Sequence, residues 1–131
     1  AIVHGVCDVY RFAFLRPPFD QAVSREYQKL LFGPRWKLSP LYGHASFEDT
    51  APGLDLPPIL VIASEPDRYY RQSRRLIEYL DRSPWEHEVI LWKREQGERL
   101  THVFEVGWWD WPESRETNRR MLDFFDRAAG K

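Results

Sequence analysis

The chain has 131 residues, a net charge of −1 and a single cysteine, and 30% of its residues are charged. Its nineteen Lys and Arg alternate with twenty Asp and Glu, which excludes the one-signed basic face of a nucleic-acid binder. No apolar run reaches the roughly 18 residues of a membrane span. Cys7 stands alone and so excludes an internal disulfide, which fits a reducing, cytoplasmic setting and a buried structural thiol.

The first predicted element is a strand over Ala1 to Cys7, apolar and β-branched but interrupted by Gly5. From Asp8 to Pro58 the pattern is irregular and proline-rich. Within it a helix is expected from Asp20 to Phe32, capped by Asp20, with a stripe of Val23, Tyr27, Leu30 and Leu31 and a stop at Gly33-Pro34. An excursion of this length exceeds what a connector needs and reads as an insert that shapes a site or a lid.

Ile59 to Ala63 is uniformly apolar, as a central parallel strand covered on both faces should be. Tyr69 to Arg82 follows as a helix, with Tyr69, Leu76, Ile77 and Leu80 on one face. The basic cluster Arg71 to Arg75 lies in this helix beside Glu78 and Asp81 and reads as a solvated face. Glu88 to Trp92 gives the next strand, so strand, helix and strand form a parallel crossover unit. The last element is an amphipathic helix from Asp110 to Ala128. Asp110 and Glu113 are expected to form a capping box, Pro112 to sit in the first turn, and Met121, Leu122 and Phe125 to face inward.

Two residues in this pattern carry chemistry. Asp67 closes the strand that ends Ala63-Ser64-Glu65-Pro66-Asp67, and His102 follows the next strand in Leu100-Thr101-His102-Val103-Phe104. An acid at one strand end and a histidine past the next form the trailing pair of a hydrolase triad. Both are expected at the carboxyl edge of a parallel sheet, where open α/β folds place their sites. An imidazole of ordinary pKa, about 6.5, can take a proton from a hydroxyl near neutral pH. A carboxylate on its far nitrogen fixes the tautomer, so Asp67 should point at His102. Taken alone, Asp67 reads first as the cap of the helix that starts near Tyr69 or Tyr70, and only second as a catalytic acid.

The nucleophile has no visible counterpart. A G-x-S-x-G elbow needs two glycines four residues apart, and Gly5, Gly33, Gly43, Gly53, Gly97, Gly107 and Gly130 contain no such pair. Cys7 or Ser64 could serve in a complete small enzyme, but no tight glycine turn presents either. His4, His44 and His87 show no metal-ligand spacing, so no metal or other cofactor is expected. Six Trp, six Tyr and eight Phe are many rings for so short a chain, and some should line a pocket or an interface. Trp108, Trp109 and Trp111, close to His102, either pack the last helix on the sheet or wall a substrate pocket, and in an intact protein should be largely buried in both cases.

Residues 56 to 128 resemble the C-terminal half of an α/β-hydrolase-fold esterase or lipase. The resemblance rests on Leu56-Pro57-Pro58 leading into Ile59 to Asp67, on Ser73-Arg74-Arg75-Leu76 with Leu80, on Thr101-His102-Val103-Phe104 and on the final helix. Ala1 to Tyr10 resembles the strand after the family's nucleophile helix, and Phe19 to Pro40 resembles its cap. Arg68 departs from the proline or small residue that is common in the family. Val3-His4-Gly5 resembles the family's oxyanion loop, but that placement needs an elbow downstream, which the glycines exclude.

The resemblance implies Asp67 as the triad acid, His102 as the base, and Trp108 and Trp109 as substrate-binding. It implies a partial α/β-hydrolase fold, with a three-stranded, mainly parallel sheet flanked by helices. Residues 8–58 would be a cap-like helical insert, and 59–131 would carry acid and base. The expected activity is serine-type hydrolysis of carboxylic esters or related acyl bonds, with the nucleophile on a missing N-terminal half; that half or a second copy of the chain is the expected partner, and a small-molecule ester the substrate. The first residue, Ala1, fits an upstream portion removed or left out. A non-catalytic binding module that keeps the half-fold is the alternative.

Overall fold

A computed structural model describes residues 2–3, 25–26, 28–40, 42 and 46–130. The chain divides into two compact units, Ala1–Gly5 with Asp55–Lys131, and Val6–Leu54.

The larger unit is built on a parallel sheet. Strand β1 is Ile2–Val3, strand β2 is Ile59–Ser64 and strand β3 is His87–Trp92, in the order β1-β2-β3. The extended ladder is two-stranded: β2 pairs with β3 along its whole length, from Ile59 opposite His87 to Ser64 opposite Trp92. β1 adds two pairs, Ile2 with Leu60 and Val3 with Val61. A three-stranded, mainly parallel sheet was expected; among the described residues there are two full strands and a two-residue third. The remainder of the predicted Ala1 to Cys7 strand lies outside the described residues.

Every residue of β2 is buried, which explains why its sequence shows no polar alternation. Alternate residues of a strand point to opposite faces. On one face Leu60, Ile62 and Ile90 form a cluster with Phe124, against which Trp92 and Met121 pack. Ile59, Val61 and Ala63 belong to the opposite face and are equally buried. β3 is only partly covered; Glu88 points outward and pairs with Arg127 at 2.5 Å.

Four helices are numbered in chain order: α1 (Phe47–Thr50), α2 (Tyr70–Leu80), α3 (Phe104–Gly107) and α4 (Pro112–Ala128). α2 crosses from β2 to β3 and packs on β2, burying Ser73, Leu76 and Leu80. Of its basic residues Arg71 and Arg74 are exposed and Arg75 is half-buried; Arg74 pairs with Glu78 at 3.2 Å. α3 is a single turn that the periodicity did not anticipate.

α4 begins two residues later than expected. Pro112 occupies the start of the helix, where its missing N–H costs nothing, but Trp111 is the N-cap and no side chain caps it. The predicted Asp110–Glu113 capping box does not form; the Glu113 carboxylate instead accepts a hydrogen bond from Arg99 at 2.9 Å. The inward face also differs. Ser114, Thr117 and Phe124 are buried, with Met121 partly so, whereas Leu122 is 62% and Phe125 43% exposed. Polar side chains on the covered stripe disguised it. Ser114 Oγ donates to the Phe104 carbonyl, and Thr117 Oγ1 donates to the Glu113 carbonyl while accepting from Trp92 Nε1. The outward face carries Arg119 between Glu116 and Asp123; its hydrogen bond holds the Glu116 carboxyl below the usual range.

In the smaller unit, residues 28–32 are helical and Gly33 ends the helix with φ +84°, a conformation that favours glycine. Leu30 and Leu31 are exposed rather than inward-facing, and Gln28 is buried in their place. Asp20, Val23 and Tyr27 lie outside the described residues. Phe32, Trp36 and Tyr42 pack edge to face, with ring centroids 4.8–5.8 Å apart.

The α4 assignment is tested by truncation. Phe124→Ala should destabilise the chain by about 3–5 kcal/mol and Phe125→Ala by less than about 1 kcal/mol, both read from urea unfolding. Equal losses would mean that the covered face has been misassigned.

Candidate functional site

Both chemistry-bearing residues lie beyond the carboxyl ends of the parallel strands. β2 ends at Ser64, and the ladder continues one step further through the Glu65 N–H, which donates to the Trp92 carbonyl at 2.9 Å. The chain then turns: the Asp67 N–H donates to the Ser64 carbonyl, and the Tyr70 N–H donates to the Asp67 carbonyl to open α2. Asp67 is thereby fixed between a central strand and a helix start, with its side chain only 2% exposed.

His102 arrives by a longer route. After β3 a 3-10 turn at Arg94–Gln96 is anchored by Glu65, whose carboxylate accepts the Arg94 N–H at 2.9 Å. Leu100 and Phe104 are both fully buried and hold the loop by its two ends. Ser64 Oγ donates a short hydrogen bond to the Leu100 carbonyl. The Phe104 carbonyl accepts from Ser114, and the Glu105 carbonyl accepts from Asn118. Val103 is a β-branched residue with φ 51° and ψ 35°, a strained conformation that costs on the order of 1–3 kcal/mol and persists only where its surroundings over-determine it. The strain falls on the residue that follows His102.

The two side chains meet. His102 Nδ1 lies 3.0 Å from Asp67 Oδ2, across 35 residues of sequence. The other carboxylate oxygen, Oδ1, accepts the Tyr69 N–H at 2.9 Å. Of the two sequence readings of Asp67, the imidazole contact forms through Oδ2, whereas Asp67 is not the helix cap: Tyr69 is the N-cap of α2 without a side-chain cap bond, and Oδ1 accepts the Tyr69 N–H in the turn before the helix. A carboxylate this buried must have both oxygens occupied, because an unpartnered one would carry a desolvation cost of a few kcal/mol. His102 itself is one-third exposed, so one side of the ring is covered and part of it faces outward. A carboxylate beside Nδ1 favours the neutral tautomer that carries its proton there.

In this chain Trp108 and Trp109 are 44% and 69% exposed. They lie between α3 and α4, where Trp108 stacks on Trp111 at 5.0 Å with planes 12° apart. The Arg99 guanidinium sits 4.4 Å from the Trp111 ring centroid and pairs with Glu113. This pile of two rings and a cation covers the helix start, while Trp92 makes the contact with α4 that had been expected of these rings. Among the described residues no three His, Cys, Asp or Glu side chains come together as a metal cage. His87 bonds Asp81 and the Trp85 carbonyl; His4, His44 and Cys7 lie outside the described residues. Ser64, considered as a nucleophile, has its hydroxyl committed to Leu100.

Sequence reasoning missed Tyr69, whose ring lies 4.6 Å from the imidazole. Its place two residues after a turn-forming aspartate was the available signal, because such a side chain commonly accepts the N–H two residues on. Removing the shared carboxylate in Asp67→Ala should cost about 1–3 kcal/mol in urea unfolding and free the imidazole. A loss within ±0.5 kcal/mol would show that neither bond is formed.

Comparison with known proteins gives one consistent answer. No family model and no curated protein matches the chain. Among solved structures, esterase B from Lactobacillus rhamnosis is similar at 32% identity and a TM-score of 0.80, covering 95% of this chain. The same enzyme in a C6-C4 SN3 inhibited form gives 31% and 0.78, again over 95%. Its form inhibited by tributyrin phosphonate gives 35% and 0.72 over 84%. The chain spans only 35–38% of the length of these esterases. Nearly all of it thus resembles part of an esterase, and its fold is α/β-hydrolase-like.

Proposed function

We propose that this chain, similar to part of an esterase along nearly its whole length, supplies the acid and base of a serine-type hydrolase of carboxylic esters or related acyl bonds. The observation that carries the proposal is the Asp67–His102 bond at the strand tips. Position alone would allow a surface ion pair; a carboxylate that is 2% exposed and spends one oxygen on the imidazole is the geometry of an orienting acid.

In this reading His102 Nε2 takes the proton from a serine hydroxyl provided by polypeptide outside this chain. As the proton leaves, the serine oxygen bonds to the ester carbonyl carbon. The imidazolium is stabilised by Asp67 through Nδ1–H and then protonates the departing alkoxide as the ester C–O bond breaks. Water repeats the sequence on the acyl intermediate and regenerates serine and acid. Residues 8–58 act as a cap-like insert and 59–131 as the acid- and base-bearing segment; the separate compactness of Val6–Leu54 supports that division. Trp108 and Trp109 would contribute an aromatic wall to the substrate pocket once polypeptide outside this chain is in place. The chemistry calls for no cofactor.

One observation favours a second reading, a binding module that keeps the half-fold without chemistry. Val106, Trp108 and Trp109 are exposed within one short stretch, as at a docking surface.

The isolated chain should give no saturable hydrolysis of p-nitrophenyl esters. In an intact protein whose upstream reading frame carries a G-x-S-x-G, His102→Ala should lower kcat by at least ~10³-fold with a smaller change in KM. Saturable turnover by the isolated chain, lost in His102→Ala, would refute the claim that the nucleophile lies elsewhere. Full activity of the His102→Ala intact protein would refute the assignment of the base.

A further inference from the structure

The last residue of β2 touches the backbone on both sides of the pair. The Ser64 carbonyl accepts the Asp67 N–H at 3.1 Å, and the Ser64 hydroxyl donates to the Leu100 carbonyl across 36 residues of sequence. Ser64 is 2% exposed and Leu100 is fully buried, so this link is made in the interior, away from water. Beyond Leu100 the chain makes one turn: the Phe104 N–H donates to the Thr101 carbonyl at 3.3 Å, with His102 and Val103 between them. His102 thus stands on a turn held at Leu100 on its incoming side and at the buried Phe104 on its outgoing side.

A turn places a side chain only as accurately as its two ends are fixed. On the outgoing side the carbonyls of Phe104 and Glu105 are met by Ser114 and Asn118 of α4. Those bonds set the loop against the last helix, whereas the acid is set by β2. Ser64 is where the histidine loop is tied to the strand that leads to the acid. A buried carbonyl that loses its donor carries a desolvation penalty, and the chain shifts to reach another donor or water. Any shift of Leu100 reaches His102, two residues on.

We infer that Ser64 is a positioning residue for the pair: its carbonyl holds the Asp67 backbone and its hydroxyl holds the Leu100 carbonyl, so that one strand residue sets the separation of acid and base. The inference rests on the acid–base reading of Asp67 and His102, and it gives Ser64 no contact with substrate.

A double-mutant cycle on the whole chain tests it, with unfolding constants read from urea titrations of Ser64→Ala, His102→Ala and the double variant. The imidazole contributes less once the hydroxyl is gone, so the change in the double variant should fall short of the product of the two single changes by more than about 2-fold. Thr117→Ala is the structural control: Thr117 is fully buried and bonded to Glu113 and Trp92, and its change should multiply with that of His102→Ala. Proton NMR reads the position of the ring directly. Cross-relaxation between the rings of Tyr69 and His102, whose centroids are 4.6 Å apart, should weaken or vanish in Ser64→Ala, while that between Tyr79 and Trp85 beyond the far end of α2 stays. Single changes that multiply to within about 2-fold overturn the inference, as do unaltered Tyr69–His102 cross-relaxation in Ser64→Ala and an equal coupling of Thr117→Ala. If Ser64→Ala does not fold, Ser64→Cys, close in size but only a weak donor, enters the cycle under the same criteria. The two failures read differently. A His102→Ala chain as stable as the wild type would remove the pair, and with it both this inference and the hydrolase reading; a destabilised His102→Ala chain whose change multiplies with that of Ser64→Ala would remove only the role of Ser64.

Discussion

A buried carboxylate with two commitments organises this site. Asp67 leaves solvent almost completely, and each of its oxygens must find a donor in the folded chain. One donor is local, the Tyr69 N–H at the start of α2; the other is remote, the His102 ring. The local bond sets where α2 begins, and the remote bond requires the loop after β3 to return to the tip of β2. Secondary structure and site geometry are thus tied at one side chain.

The return of that loop is secured without help from His102 itself. Leu100 and Phe104 anchor the loop by burial, and the carbonyls of Leu100, Phe104 and Glu105 are met by Ser64, Ser114 and Asn118. These small polar groups come from β2 and α4, so the sheet and the last helix together hold the histidine loop. The left-handed Val103 is what such over-determination permits. The strain sits beside the His102 ring, and strained backbone commonly clusters at functional sites.

Much of this was legible in the residues. The unbroken apolar run of β2 announced a central strand, and the order of acid, helix, strand and histidine announced the crossover and the meeting of Asp67 with His102. Other features were hidden for physical reasons. The buried stripe of α4 runs through Ser114 and Thr117, whose hydroxyls are satisfied by backbone and by Trp92, so polarity pointed to the wrong face. Glu113 looked like a cap because its competing partner, Arg99, is fourteen residues away in sequence. Trp108 and Trp109 stand at the surface of this chain, Trp108 stacked on Trp111 and Arg99 set over the Trp111 ring, contacts that sequence spacing does not disclose. The turn at Asp67 signalled the Tyr69 N–H contact, but not the ring contact, because the His102 ring is brought back from far along the chain.

The central claim is that the carboxylate of Asp67 holds the Nδ1 proton of His102. The most direct measurement is the proton spectrum of the ¹⁵N-labelled chain at low field, with and without Asp67→Ala. The account predicts a nitrogen-coupled, exchange-protected resonance assigned to His102 Nδ1–H that disappears in the variant, while the signals of His87 remain. A wild-type spectrum in which His102 carries its proton on Nε2, unaffected by loss of the carboxylate, would contradict it.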